Sequence, residues 1–180
     1  VHQVNFAGYF ADRGILVDVN QPTGSGNNKH DMSIGWNEKI FDIEMKALTS
    51  KNPAQRLKAE IKDRNDRLPR IPPNPIIVFA ALVEKGQLLD GKVVESYLSS
   101  ISEECFCGSS KITAIVAGKM FVDADGGSLK WSFDKFLINR QAIHTVSEKE
   151  IRSIFMPNWT RLAYPLFSII TSFRVGRAEE

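Results

Sequence analysis

The apolar positions of this chain change period several times, and each change marks an element. From Asp31 to Trp36, the apolar Met32, Ile34 and Trp36 alternate with Asp31, Ser33 and Gly35. From Lys39 to Leu48, Phe41, Ile43, Met45 and Ala47 alternate with Ile40, Asp42, Glu44, Lys46 and Leu48. A period of two places each set on one face of a strand. The intervening Asn37-Glu38 suits a two-residue turn, so the segment predicts a hairpin. Pro53, following Ser50 and Asn52, reads as a first-turn proline after a cap and opens a helix through about residue 68. Ala54, Leu57, Ile61 and Leu68 give that helix a narrow apolar stripe. The Pro-rich stretch 69–75 ends it. Residues 76–83 are apolar without a break, as in a central strand covered on both faces.

The remaining pattern extends the same theme. Residues 5–12 suit a short helix, 14–19 a strand and 21–28 a loop. A helix is expected over 90–101 and a strand over 112–122. Asp125-Gly126-Gly127 is a turn signal, followed by a strand over 130–138. Ser147 to Glu150 is a capping box that starts a short helix. The sum is an α/β sandwich with a central mixed sheet and helices outside, as one domain over 1–180.

With 43% hydrophobic and 24% charged residues, the 180-residue chain has the profile of a soluble globular domain. A net charge of +2 names no partner. Cys105 and Cys107 are too close for an unstrained disulfide and have no histidine nearby in sequence for zinc, so reduced thiols and a cytoplasmic location are expected. The apolar run 164–173 is shorter than the roughly 20 residues of a membrane span. No signal peptide is read, and Asn158-Trp159-Thr160 fits the glycosylation sequon as a short pattern only. The first residue is Val1 rather than Met, which leaves room for a fragment of a longer chain.

An acid, any residue and then Lys is expected about 1.5 times by chance. It occurs at Glu44–Lys46, Glu60–Lys62 and Asp90–Lys92. The second pair falls on a helix, where residues two apart diverge. The third falls at a helix start, where Asp serves as a cap. Only Glu44 and Lys46 share a strand face. With Trp36 opposite Lys39, Asp31 comes opposite Glu44, and two facing carboxylates suit a divalent cation between them.

Asp31, Glu44 and Lys46 in this arrangement resemble the PD-(D/E)xK nuclease superfamily, with the restriction-endonuclease-like fold, over about residues 15–83. The resemblance implies an α/β/α sandwich and a Mg2+-dependent endonuclease that hydrolyses phosphodiester bonds, with Mn2+ as a substitute and DNA as the expected substrate. By position, it makes Asp31, Glu44 and the Met45 carbonyl metal ligands and gives Lys46 the attacking water. Gln55 stands where the family often adds a polar helix residue. His30 replaces the usual proline. An upstream acid is often present, and Asp12 is the candidate here. Two-strand cleavage in this family often uses a dimer, so a homodimer is one option.

The helix around 51–70 carries seven basic against three acidic residues. Lys51, Arg56, Lys58 and Lys62 are candidates for the nucleic-acid backbone, or else simply a solvated face. Arg161, Arg174 and Arg177 form a weaker basic group. His30 reads either as a neighbour of the metal or as a solvated loop residue. Asp42 reads either as a group behind the ligands or as an ordinary strand residue. The rival functions are a catalytically inactive nucleic-acid-binding or protein-interaction module of the same fold, and a structural domain whose hairpin is an exposed edge.

Overall fold

The structure, a computed structural model, describes residues 2–20, 30–49, 51–83, 90–122 and 129–156. The loop expected over 21–28, the turn at 125–127, the sequon, the run 164–173 and the second basic group lie outside these residues.

Asn37 and Glu38 both take positive φ, 48° and 62°, as a primed two-residue turn requires. The turn joins β2 (Met32–Trp36) to β3 (Lys39–Leu48) with Trp36 opposite Lys39 and Met32 opposite Ile43. The register is the one that alternation demands. Upstream, α1 (His2–Ala11) leads into β1 (Leu16–Val19), which pairs antiparallel with β2. Downstream, α2 (Pro53–Arg67) carries the chain to β4 (Ile76–Leu82), parallel to β3. Asn52 precedes α2 at φ 55° without a side-chain cap, so Pro53 rather than capping marks this start. All seven residues of β4 are buried, as expected of a central strand.

A second crossover through α3 (Gly91–Ser100) and a 3-10 turn (Glu103–Phe106) reaches β5 (Ile112–Val122), parallel to β4. Then β6 (Leu129–Ile138) returns antiparallel, and α4 (Glu148–Phe155) follows. Asp90 and Ser147 cap α3 and α4, accepting from Lys92 N at 2.9 Å and Glu150 N at 3.1 Å.

The fold is mixed α/β: among the described residues six strands run in the order β1-β2-β3-β4-β5-β6 in one open sheet, with helices on both faces. One face buries Phe41 and Ile43 against Phe6 and Phe10 of α1 and Ile154 and Phe155 of α4. The Phe6 ring stacks on Phe79 at 4.6 Å, and Trp131 belongs to this core. The other face buries Leu48, Val78 and Leu82 against Leu57 and Ile61 of α2 and Val94 and Tyr97 of α3. Both faces of β3 are thus covered. Among the described residues no helix is long and apolar enough to cross a membrane. Cys105 and Cys107 are free thiols, the first buried and the second exposed.

Candidate active site on the third strand

Asp42, Glu44 and Lys46 share the face of β3 that α2 covers. Glu44 is only 8% exposed and Asp42 only 3%. An exposed edge is therefore not what the hairpin forms: β3 is an interior strand, and its charged face is roofed by a helix. Burying carboxylates is costly unless they are paired or coordinate a cation, so the partners of each decide what the site can do.

Asp31 lies one residue before β2, outside the ladder that ends at Met32–Ile43. It is not a cross-strand pair of Glu44, as the alternation had suggested. Instead, its Oδ2 accepts the backbone N–H of Met45 at 2.6 Å. The two-residue turn makes Phe41, Ile43 and Met45 direct their backbone groups toward β2. Beyond the start of β2 the Asp31 carboxylate takes over that role, and the Met45 carbonyl leaves the strand on the same side. Burial raises the Asp31 carboxyl above its ordinary value, with the Glu44 charge adding to the effect. The Met45 N–H, Lys46 and Arg64 oppose it.

Glu44 Oε1 accepts from Lys46 Nζ at 2.9 Å, and the same ammonium lies 3.2 Å from Glu60 Oε2 on α2. Burial works to lower the Lys46 pKa, but the charges and hydrogen bonds of Glu44 and Glu60 outweigh it and hold it above the ordinary value. Lys46 is thus a firmly protonated donor here. Glu44 Oε2 faces Arg64 Nε at 3.5 Å and, among the described residues, has no hydrogen-bond partner although it is buried.

Arg64 links this group to a second carboxylate. Its Nη2 is 3.0 Å from His30 Nδ1, and His30 Nε2 is 3.3 Å from Asp42 Oδ2. A guanidinium has only donors, so His30 Nδ1 must accept, and the ring's proton sits on Nε2 facing Asp42. Burial lowers the His30 pKa; Arg64 adds to this, while Asp42 and Glu44 oppose it. Ser33 and Asn74 also donate to Asp42, at 2.7 and 3.2 Å. His30 and Asp42 are thus built-in parts of the network and not solvated residues.

Other sequence candidates fall elsewhere. Gln55 is exposed, roughly 160° around α2 from Leu57 and so facing away from the carboxylates. The helix contributes Glu60 and Arg64 instead. Asp12 is exposed after α1, and α1 packs on the opposite face of the sheet from Glu44. Lys51, Arg56 and Lys62 are exposed, whereas Lys58 is tied to Glu104 at 2.8 Å across α2 and the 3-10 turn. His144 meets the Pro72 carbonyl at 2.7 Å.

Arg64 has a signal in the sequence. It falls three residues after Ile61 and four before Leu68, on the apolar stripe itself, and an arginine there needs an anion from the facing strand. Glu60 has none, because its partner Lys46 is known only once α2 lies across β3.

The site gathers four carboxylates, Asp31, Asp42, Glu44 and Glu60, against two permanent cations, Lys46 and Arg64. Glu44 Oε2, without a hydrogen-bond partner among the described residues and only ion-paired with Arg64 at 3.5 Å, is the oxygen a divalent cation could take. Among the described residues no group of three or more His, Cys, Asp or Glu side chains is arranged to hold a metal ion. A divalent ion at Glu44 would therefore have to rely on one or two carboxylates and on water, as Mg2+ can. Compared with known proteins, the chain matches no family model, no curated protein and no solved structure.

Proposed function

We propose that this chain is a Mg2+-dependent nuclease of the restriction-endonuclease-like fold that hydrolyses phosphodiester bonds in DNA. The observation that supports this best is the Glu44 carboxylate. It is buried on an interior strand, one oxygen rests on Lys46, and the other has no hydrogen-bond partner among the described residues and only the Arg64 guanidinium at 3.5 Å. Asp31, Glu44 and the Met45 carbonyl would hold the ion. When bound, Mg2+ or Mn2+ would supply a Lewis acid for the phosphate and acidify a water.

The chain's own residues divide the remaining work. Lys46, bonded to two carboxylates, would donate hydrogen bonds that orient the attacking water and offset charge on the phosphate. Arg64 pairs with Glu44 and is itself held by His30, which Asp42 holds in turn. The exposed Lys51, Arg56 and Lys62 face the solvent side of α2, where a phosphate backbone would lie.

The test is cleavage of plasmid and single-stranded DNA with Mg2+ or Mn2+, comparing wild type with Glu44→Ala and Lys46→Ala. Metal-dependent cutting lost in both variants is expected. Cutting that survives Glu44→Ala would sink the assignment. Absence of cutting with tight, metal-independent DNA binding would move the chain to the non-catalytic binding class.

A further inference from the structure

Among the described residues Lys46 forms ion pairs with two carboxylates, Glu44 and Glu60, and of these a metal would need only Glu44. Its Nζ is 2.9 Å from Glu44 Oε1 and 3.2 Å from Glu60 Oε2. We propose that Glu60 is a positioning residue: it keeps the Lys46 ammonium at the site when Glu44 is taken by a divalent cation. This rests on the metal-site reading above and goes beyond it, because Glu60 lies outside the Asp31–Glu44–Lys46 pattern.

The argument is one of charge. A divalent ion on Glu44 repels an ammonium that shares the same carboxylate, and the repulsion is strong where water is partly excluded. With Glu60 present, the ammonium shifts its weight to a second carboxylate it already touches. Without Glu60, metal and lysine compete for Glu44 alone. The metal then binds more weakly.

The helix makes this arrangement definite. Leu57 and Ile61 on α2 are 0% and 1% exposed, and Arg64 is 8% exposed, so the turn bearing Glu60 is fixed over β3. The Glu60 side chain itself is 35% exposed. Its carboxylate can therefore be altered without opening the core.

The experiment is calorimetric titration of the full chain with Mn2+, with thermal unfolding of each variant as the folding control. The proteins are wild type, Glu44→Gln, Glu60→Gln, Glu60→Asp, Lys46→Met and the Glu60→Gln/Lys46→Met double variant. Glu60→Gln should weaken Mn2+ about tenfold, as loss of a partner behind a ligand does, and Glu60→Asp should recover part of that. In the Lys46→Met background the effect of Glu60→Gln should largely vanish, because its target is gone. An equal loss in both backgrounds would mean that Glu60 contributes only bulk charge, and it would overturn the proposal, as would no loss at all. Mn2+ binding that is absent from wild type, or indifferent to Glu44→Gln, would overturn the metal-site reading and this proposal together. Binding that needs Glu44 but ignores Glu60 would overturn the proposal alone.

Discussion

The backbone N–H of Met45 donates to the Asp31 carboxylate at 2.6 Å, just past the end of the β2–β3 ladder. A side chain there continues the work of the missing strand, and in doing so it fixes an acid beside the strand that carries Glu44 and Lys46. The relationship depends on register. A one-residue slip of the hairpin would turn every β3 side chain to the opposite face relative to β2.

The turn that sets this register is not optimal. Glu38 holds φ 62°, a conformation costing a non-glycine residue roughly 1–2 kcal/mol. Glu38→Gly creates the favoured Asn-Gly pair and should stabilise the fold by about 1 kcal/mol in urea unfolding. Mn2+ affinity should stay unchanged. Destabilisation would show that Glu38 makes a compensating contact.

The hairpin was legible because every signal there is local: alternation, turn length and a face shared by Glu44 and Lys46. Strand β4 was legible from its unbroken apolar run. The site was only half legible. Alternation places Glu44 and Lys46 on one face of β3 and Asp31 beside that strand, but it gives no sign that Gln55 lies on the far side of α2 from Leu57. The helical residues that meet β3, Glu60 and Arg64, depend on how the crossover lays α2 on the sheet, which periodicity does not encode. The same applies to Asp42, an ordinary strand position by alternation, which is buried among His30, Ser33 and Asn74.

Arg64 bridges His30 and the inward side of Glu44 while 8% exposed. Arg64→Met should cost about 3 kcal/mol, because it leaves buried acceptors without their cation. Arg64→Lys should restore only part of this, since a point charge cannot serve His30 and Glu44 as a planar fork does. Denaturant unfolding of the three proteins checks both. A loss below about 1 kcal/mol, typical of a surface pair, would mean that the network adds little to stability.

Gly118 interrupts the β5–β6 register, and a Cβ built there would lie 1.9 Å from the Ser132 carbonyl oxygen. The obstacle is backbone, so no rotamer change relieves it. Gly118→Ala should cost about 3 kcal/mol or more through displacement of β6, seen as a lowered unfolding midpoint. Near-neutral behaviour would mean that β6 shifts freely at this bulge.

Tyr97 donates its hydroxyl to the Ala80 carbonyl at 2.6 Å, deep between α3 and β4. Burial, then the nearby Asp134 and Cys105, raises its pKa well above the ordinary 10.0. The folded state therefore binds this proton more tightly than the unfolded chain does. The corresponding stability is fully present below pH 10 and declines as pH rises from there through the folded pKa. Other tyrosines and lysines titrate in the same range, so the informative quantity is the difference between wild type and Tyr97→Phe. At neutral pH the variant should be less stable by about 1 kcal/mol for the lost hydrogen bond. Above pH 10 its stability should fall less steeply than that of wild type, and the two curves should converge or cross. Parallel curves from neutral to alkaline pH would mean that Tyr97 ionises in the fold as readily as in the open chain.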